Sequence, residues 1–431
     1  MKKIKGFFYN RGVHVPDHKV ASGKPIEVLP PPQVVSLSLS MGLGRPAEPL
    51  VAVGDKVRKG TLIGKSGGFI SSNLHSSICG EVIAIATRPN ATGAPETYID
   101  IKNNGLDEVD YMEPLSDPGP DEIKKRVLDA GIVGMGGAGF PTAVKLSPKT
   151  PVDVLIINGA ECEPYLTCDH RLMLERSDEV VRGARYFAKA IGCKEIIIGI
   201  EANKPDAIEI FEKYDDIKVV ELKKQYPMGG EKQLIYCTTK RKVPLGKLPA
   251  DAGCNVQNVS TCYAACQAIE QGKPLIDRVM TCAGDGVKEP KNILVPLGTK
   301  LSEVVEFCGG QSEKEAAKLI SGGPMMGFAM IGLDSPTKKT SSGLLLLSID
   351  EIDTSVATPC LNCGRCADVC SMKLMPMNTV FYAKAGNFEM AAKMGGVMNC
   401  IECGACAYVC PAKQPFLQNI RLAKAELRKR G

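Results

Sequence analysis

Eight of the eighteen cysteines fall in two short runs that share one internal spacing. Both runs follow the pattern C-x2-C-x2-C-x3-C; they comprise Cys360, Cys363, Cys366, Cys370, Cys400, Cys403, Cys406 and Cys410. This spacing is typical of two-cluster bacterial ferredoxins, in which thiolates hold [4Fe–4S] clusters. The runs therefore predict iron–sulfur redox chemistry.

The spacing also predicts how the cysteines are shared. Three thiolates two residues apart in a glycine-containing loop can hold three corners of a cubane, and the fourth is expected to begin a helix that carries it to the other cluster. One ligand set is then Cys360, Cys363, Cys366 and Cys410; the other is Cys400, Cys403, Cys406 and Cys370. Structural zinc is the alternative, but zinc ribbons use two separated CxxC pairs. Ser371 stands where the first run would normally have proline.

A glycine-rich stretch, GIVGMGGAGFPTAVKL, places Gly134, Gly136 and Gly139 in the pattern G-x-G-x-x-G. The dinucleotide fingerprint of this form requires a strand before the glycines. The preceding residues have helical periodicity instead, with apolar positions such as Ile123 opposite a charged face. The loop can still form a phosphate or flavin cradle with Lys145 in reach, because bare backbone can approach a ligand closely. A tight structural turn is the alternative.

Polar side chains follow the apolar segments beyond this loop. The run from Val154 to Ile157 predicts a buried parallel strand, and Asn158, Glu161 and Glu163 fall at its carboxyl end, where open α/β sheets bind ligands. A strand and helix follow in CKEIIIGIEANKPDAIEIF, and YPMGGEKQLIY starts another helix. The segment NVQNVSTCYA adds polar side chains suited to ring nitrogens and phosphate oxygens: Asn255, Gln257, Asn258, Ser260 and Thr261.

Three of these segments, GMGGAGFPTAVKL, NGAECEPY and NVQNVST, resemble the flavin- and NADH-binding segments of the flavoprotein subunit of respiratory complex I. With GVHVPDHK near the N-terminus and the doubled ferredoxin motif, the whole sequence resembles the RnfC family. Members of that family are subunits of membrane-bound ferredoxin:NAD+ oxidoreductases that couple electron flow to ion transport. The resemblance implies two [4Fe–4S] clusters, bound FMN, and NAD(H) as substrate. It implies FMN contacts from Gly134, Gly136, Gly137, Lys145, Asn158, Gln257, Asn258 and Thr261, with Glu161 and Glu163 near the nicotinamide.

Two positions depart from the complex I pattern. Met135 stands where the complex I relative has arginine, which puts one phosphate or ribose contact in doubt. Gln257 replaces an asparagine, a milder change.

The implied fold class is multidomain α/β and α+β. It comprises an N-terminal β barrel-sandwich hybrid, a complex-I-flavoprotein-like α/β domain, a β-grasp (SLBB-like) domain and a C-terminal two-cluster bacterial ferredoxin domain. The expected boundaries are an N-terminal extension at 1–28, the barrel-sandwich hybrid at 29–110, the FMN/NAD(H) domain at 115–270, the β-grasp domain at 272–350, the ferredoxin domain at 355–415 and a basic helix at 416–431.

The two β-rich regions carry more specific expectations. The hairpin SSNLHSSICGEV lacks the lysine of lipoyl and biotinyl carriers, so the first region is expected to be structural, with His75 in a turn or on the surface. In 272–350, DRVMTCAG and KNILVPLGT predict strands, and KLSEVVEFCG and KEAAKLISG predict helices. The loop SGGPMMGF is a packed turn or part of an electron path.

The composition of the chain limits its expected cellular location and its expected classes of binding partner. No apolar run approaches the ~20 residues that span a bilayer, and the N-terminus lacks a secretory h-region. Reduced cysteines fit the cytoplasm. The net charge of +5 forms no basic domain beyond the C-terminal helix, so nucleic acid is not an expected partner. We expect a peripheral protein on the cytoplasmic face of the cell membrane. Membrane subunits and a ferredoxin-like subunit would be its partners, and it would meet ferredoxin indirectly.

These observations predict an electron-transfer subunit in which the cofactors carry the chemistry and no side chain acts as a catalytic acid or nucleophile. Two alternatives remain open at this point. One is a soluble flavo-iron–sulfur carrier that feeds another reductase. The other is a conduit without flavin, in which the glycine loop is structural; Met135 is the residue that favours it.

Overall fold

A computed structural model describes residues 4–7 and 9–430, which form eighteen strands and thirteen α-helices. The strands are β1 (Ile4–Lys5), β2 (Ile26–Val28), β3 (Val34–Ser38), β4 (Glu48–Pro49), β5 (Lys56–Val57), β6 (Leu62–Lys65), β7 (Leu74–His75), β8 (Gly80–Pro89), β9 (Pro95–Asn103), β10 (Val154–Gly159), β11 (Glu195–Glu201), β12 (Ile217–Leu222), β13 (Cys254–Asn258), β14 (Asp277–Ala283), β15 (Lys291–Pro296), β16 (Lys318–Ser321), β17 (Phe328–Ala329) and β18 (Gly343–Leu347). The helices are α1 (Pro120–Asp129), α2 (Thr142–Lys145), α3 (Cys168–Glu175), α4 (Ser177–Ile191), α5 (Pro205–Phe211), α6 (Glu231–Thr239), α7 (Val259–Glu270), α8 (Leu301–Phe307), α9 (Arg365–Asp368), α10 (Pro376–Lys384), α11 (Phe388–Gly395), α12 (Ala405–Tyr408) and α13 (Phe416–Arg430).

The α/β region is built on a five-stranded parallel sheet with the order β1-β12-β11-β10-β13. Helices α1, α4 and α7 cover one face and α6 covers the other, so the central strands are buried on both sides and read as continuous apolar runs. Asn158 pairs in register with Asn258, which brings the carboxyl ends of β10 and β13 together. The predicted helix before the glycine loop is α1.

The N-terminal β region consists of a four-stranded sheet, β3-β9-β8-β5, and a three-stranded sheet, β4-β6-β7, around a shared apolar core. This agrees with the predicted barrel-sandwich architecture. The expectation for His75 was wrong. This side chain lies in β7, paired opposite Leu62, and is only 5% exposed. Burial lowers the pKa of its imidazole to about 3.

The β-grasp region has a six-stranded mixed sheet with the order β17-β16-β18-β14-β15-β2, and α8 packs on it. The helix predicted for KEAAKLISG is wrong, because its second half is strand β16. Leu319 pairs opposite Leu346 of the apolar strand β18. A short apolar segment fits either a helix or a strand by its own pattern, and here the distant partner strand decides.

The ferredoxin region contains α9 to α13 around one small core, and α13 closes that core with Phe416, Ile420 and Ala423. The predicted basic C-terminal helix therefore packs as part of this domain. The expectation that each fourth cysteine begins a helix was wrong. Cys370 follows α9, and α10 begins only at Pro376 after a turn. No helix can run through the turn between Cys370 and Pro376, because Lys373 in that turn has a φ of 56°.

The N-terminal segment takes part in three domains and differs in this from the expected separate extension. Strand β1 pairs with β12 at the edge of the α/β sheet, and β2 pairs with β15 in the β-grasp sheet. Between them, Arg11 donates to Ala367 O at 2.7 Å, and Gly12 N–H donates to Val369 O at 3.0 Å in the ferredoxin region. Sheet edges present unpaired backbone groups, and this segment satisfies two of them.

Within the described residues, no helix has both the length and the apolar character needed to cross a bilayer.

Candidate functional site

One of the two predicted ligand sets lines a single cavity with a largely apolar wall: Cys370, Cys400, Cys403 and Cys406. We call these four cysteines the proximal set, and Cys360, Cys363, Cys366 and Cys410 the distal set. The proximal set draws one cysteine from the first run and three from the second, as the interlocked assignment requires. In the described part of the chain, no three His, Cys, Asp or Glu side chains close on one point as they do around a single ion.

Backbone N–H groups approach sulfur at equivalent positions of both runs. Asn362 N–H lies 3.4 Å from Cys360 Sγ, and Glu402 N–H lies 3.3 Å from Cys400 Sγ. The fourth cysteine of each run has a similar contact. Leu374 N–H lies 3.3 Å from Cys370 Sγ, and Gln414 N–H lies 3.5 Å from Cys410 Sγ. Hydrogen bonds to sulfur stabilise cluster thiolates and tune their potentials, so the donor set suits iron–sulfur ligation.

The two sets differ in exposure. Cys360 and Cys363 of the distal set are exposed, whereas no cysteine of the proximal set is. Burial raises the pKa of the Cys400 thiol to about 11. Such a thiol ionises only when a nearby cation, here iron, offsets the cost of desolvation.

The proximal set is wedged between the other domains. The Tyr226 side chain, 2% exposed, comes from the loop before α6, and its hydroxyl donates to Cys403 O at 2.7 Å. Its ring packs in a small apolar cluster with Val13 and Ala405. From the β-grasp side, Met325 O lies so close to Gly404 that a Cβ there would be 2.7 Å from it. Both neighbouring domains therefore contact one cluster loop.

The glycine loop presents bare backbone to the outside. Gly136, Gly137 and Ala138 are exposed, and a Cβ at Gly137 would meet nothing within 4 Å. Behind the loop, Met135 N–H donates to Thr261 Oγ1 at 3.0 Å. A Cβ at Gly136 would lie 2.8 Å from Asn258 Nδ2, so glycine permits this close approach.

The predicted polar residues of the α/β region gather around this loop and the carboxyl ends of β10 and β13. Lys145 donates from Nζ to Glu231 Oε1 and to Val256 O, both at 2.9 Å. Asn158 donates to Gly229 O at 2.9 Å, and Gln257 donates to Asn255 Oδ1 at 2.9 Å.

Asn258 joins the loop to a buried acid. Its Nδ2 donates to Asp169 Oδ2 at 2.7 Å, and Ser260 Oγ donates to Asp169 Oδ1 at 2.6 Å. Burial raises the pKa of Asp169, and the neighbouring Glu161 raises it further. Two donated hydrogen bonds oppose that rise, so the carboxylate can serve as a fixed acceptor beneath the loop.

Glu161 caps helix α3. Its Oε1 accepts from Asp169 N–H at 2.7 Å, and its Oε2 accepts from His170 N–H at 3.3 Å. Lys19 lies beside it and donates to the carbonyls of Glu161 and Glu163 at 3.0 and 3.1 Å. The N-terminal GVHVPDHK segment thus fixes the turn that carries both acids.

Glu163 faces the other two domains. Its carboxylate accepts from Met325 N–H at 3.0 Å, from Met326 N–H at 2.9 Å and from the Tyr226 hydroxyl at 3.3 Å. Burial raises the pKa of Glu163 to about 7, although these hydrogen bonds lower it. The loop SGGPMMGF is therefore a packed turn that is anchored on Glu163 beside the proximal set.

Sequence reasoning missed Tyr226, Asp169 and Arg278, a buried arginine that donates to Met135 O of the glycine loop at 2.8 Å. The first two lie next to recognised segments, Tyr226 immediately before PMGGE and Asp169 after ECEPYLTC, so proximity to the motifs was a usable signal. Arg278 lies on β14 of another domain and had no such signal.

Family models match in chain order along the sequence. The RnfC barrel sandwich hybrid domain matches residues 7–106, the Nuo51 FMN-binding domain 127–267, the SLBB domain 279–329 and the 4Fe-4S dicluster domain 359–414. The subunit designated C of the proton-translocating ferredoxin:NAD(+) oxidoreductase complex of Clostridium ljungdahlii is 45% identical over 98% of this chain and 94% of its own. The chain belongs to the RnfC family.

Two further RnfC relatives match at similar levels. The corresponding subunit of the Na(+)-translocating ferredoxin:NAD(+) oxidoreductase complex of Acetobacterium woodii is 41% identical over 98% of both chains. That of the ion-translocating oxidoreductase complex of Rhodobacter capsulatus is 42% identical over 99% of this chain and 84% of its own.

As an RnfC protein with these domains, the chain is a carrier of FMN and two [4Fe–4S] clusters. The residues present fit both groups. The open backbone at Gly136 and Gly137, with the Asn258 amide against Gly136, suits a flavin phosphate. Eight cysteines, of which Cys360, Cys370, Cys400 and Cys410 accept backbone N–H···S contacts, suit two cubanes.

Proposed function

We propose that this chain is the NAD(H)-reacting electron-transfer subunit of an Rnf-type ion-translocating ferredoxin:NAD+ oxidoreductase complex. One observation carries the proposal. The domain with the glycine loop and the β-grasp loop both contact the proximal set, through Tyr226 and Met325. Two cysteines of the distal set, Cys360 and Cys363, are exposed and leave that set open to exchange with a partner. This arrangement gives electrons a route from the nucleotide site to the surface.

We assign the domain boundaries and flavin contacts as expected from the sequence. Bound FMN supplies the exchange between hydride transfer with NAD(H) and single-electron transfer, and the clusters carry single electrons. Gly134, Gly136 and Gly137 present backbone to the flavin phosphate. The side-chain contacts come from Lys145, Asn158, Gln257 and Asn258, whereas Thr261 acts through the loop by holding Met135 N–H from behind.

The two acids act through the protein in this proposal. Glu161 holds helix α3 and Glu163 holds the Met325–Met326 turn, so they border the nicotinamide side without offering a free carboxylate. The proximal cluster lies between flavin and distal cluster. Net flow runs from reduced ferredoxin, by way of partner subunits, to NAD+.

The chain is a peripheral subunit in this proposal and docks on membrane subunits at the cytoplasmic face. The names of its relatives describe complexes, and the described residues include no helix suited to spanning the membrane. A ferredoxin-like subunit is the expected electron partner at the distal set.

The test is anaerobic reconstitution of the full chain with iron, sulfide and FMN, followed by NADH. We expect bleaching of the flavin absorbance and low-temperature EPR signals from reduced [4Fe–4S] clusters. A Gly136→Val variant should keep the clusters, reducible by dithionite, but lose the response to NADH, because the added side chain would collide with Asn258. Gly23→Val, where a Cβ meets nothing within 4 Å, is the control. Wild-type protein that binds no FMN, or whose flavin NADH leaves oxidised, would contradict the proposal.

A further inference from the structure

An arginine from the β-grasp sheet reaches beneath the glycine loop of the α/β domain. Arg278 lies on β14 and is 3% exposed. One terminal nitrogen of its guanidinium donates to Met135 O at 2.8 Å, and the other donates to Lys339 O at 2.5 Å. Its Nε–H has no hydrogen-bond partner within the described structure. A buried guanidinium with an unsatisfied donor is costly, so the position calls for a functional reason.

The bond to Met135 O fixes the direction of the next N–H. A trans peptide is planar, with its carbonyl and its N–H on opposite sides. The Met135 carbonyl points back to Arg278, so the Gly136 N–H points the other way, toward the exposed side of the loop. Met135 N–H is held separately by Thr261 Oγ1. Both peptide groups that flank Met135 are thus oriented from behind.

The same side chain places a positive charge behind the loop. Met135 itself brings no charge to the loop. Burial lowers the pKa of the Arg278 guanidinium. Cys168 and Asp169, the acid that Asn258 and Ser260 contact, oppose that shift and favour the cation. The cation comes from the adjoining domain instead of from the loop.

We propose that Arg278 is a positioning residue for the flavin phosphate. It turns the Gly136 N–H toward that phosphate and supplies, from the β-grasp sheet, the positive charge that Met135 lacks. This inference rests on the proposed function, since it takes the glycine loop as the FMN phosphate site.

The experiment compares FMN with riboflavin, which lacks the phosphate. Both flavins are titrated by fluorescence quenching into the full-length protein with its clusters reconstituted. Arg278→Met should weaken FMN binding by about tenfold or more, because hydrogen bonds that involve charged groups are among the stronger ones. Riboflavin binding should change by less than about threefold, since the proposed role of Arg278 concerns only the phosphate. Arg278→Lys should recover part of the preference, because it keeps the charge but holds fewer carbonyls.

Arg182→Met is the matched control, because Arg182 lies on α4 of the α/β domain and pairs with Glu270 near the surface. It should leave the preference for FMN unchanged. Equal weakening of both flavins in Arg278→Met, or an unchanged ratio, would overturn the role of Arg278. If Arg278→Met fails to fold, Arg278→Lys decides, and an unchanged ratio there overturns it. Wild-type protein that binds neither flavin would overturn the proposed function instead.

Discussion

The proximal and distal cysteine sets share a motif and a backbone but not an environment. Gly364 and Gly404 both have φ of 77°, and Asn362 and Glu402 have similar φ values within their loops, 53° and 56°. Around the distal set the chain from 353 to 363 is exposed throughout. Around the proximal set, the same backbone is enclosed by Tyr226, Met325 and the N-terminal segment.

The difference shows what each level of structure decides. The cysteine spacing specifies that a cluster is bound, and the neighbouring domains specify where that cluster stands in a path of electrons. Cluster potential depends on hydrogen bonds to the ligands and on solvent exposure. The backbone N–H···S contacts are equivalent in the two sets, so the exposure of the cysteines is what differs. Two equivalent motifs therefore become an inner and an outer relay.

The largest expected effect comes from removing each cluster in turn. Cys403→Ala and Cys363→Ala alter the second cysteine of the second and first runs, so the chemical change is matched. Each should lower the iron content by about half. After Cys403→Ala, NADH should bleach the flavin without an EPR signal from the distal cluster. After Cys363→Ala, NADH should still reduce the proximal cluster. Identical NADH responses from the two variants would contradict the proposal that electrons pass from the flavin to the proximal cluster and then to the distal cluster.

The next effect concerns the buried acid beside the proximal set. Burial raises the Glu163 pKa to about 7 from 4.5, so the folded protein binds a proton that the unfolded chain has lost between these values. Stability from this group is present below about pH 4.5 and is lost as the pH rises through about 7. Wild-type protein should lose up to roughly 3 kcal/mol of unfolding free energy across this window that Glu163→Gln does not lose.

The measurement is the midpoint of denaturant unfolding, monitored by circular dichroism at pH 5 and at pH 8. Burial also raises the pKa of Glu201 to about 7, but that residue titrates in both proteins and cancels in the difference. Glu209→Gln, an exposed carboxylate on α5, should behave like the wild type. Parallel pH dependence in wild type and Glu163→Gln would show that Glu163 is not held as the contacts indicate.

The smallest expected effect is a shift of one potential. Tyr226→Phe removes the hydroxyl that donates to Cys403 O and leaves the ring packing intact. A lost donor destabilises the more negative, reduced cluster, so the proximal potential should fall. About 1 kcal/mol corresponds to roughly 40 mV for one electron. Redox titration monitored by EPR should show no change at the distal cluster. Tyr214→Phe removes a hydroxyl bonded to Asp178 elsewhere in the domain, and it should shift neither potential.

The parts of the site that lie in continuous segments could be predicted from the sequence. The cysteine spacing, the buried strand over Val154–Ile157 and the polar segment that contains Asn258 are all local patterns. The segment KEAAKLISG failed because its strand depends on a partner near residue 346.

The contacts between domains could not be predicted in this way. Arg278 meets Met135 across 143 positions, and Tyr226 meets Cys403 across 177. No periodicity or spacing rule links residues so far apart. Glu161 shows the same limit in a milder form. The sequence placed Glu161 after a strand end, but only the fold shows that its carboxylate accepts hydrogen bonds from the first turn of α3.

The pairing of the first residues of the chain with three domains has a consequence for biosynthesis. Strand β1 can pair only after Val220 has been made, and β2 only after Asn292 has been made. At roughly 5–20 residues per second, each partner is made about ten seconds to a minute after the strand itself. The partner of Arg11, Ala367, is made later still. The N-terminus thus leaves the ribosome as unpaired strand edges and closes over the ferredoxin domain last. We expect its docking, and with it the enclosure of the proximal cluster, to be the final step of maturation.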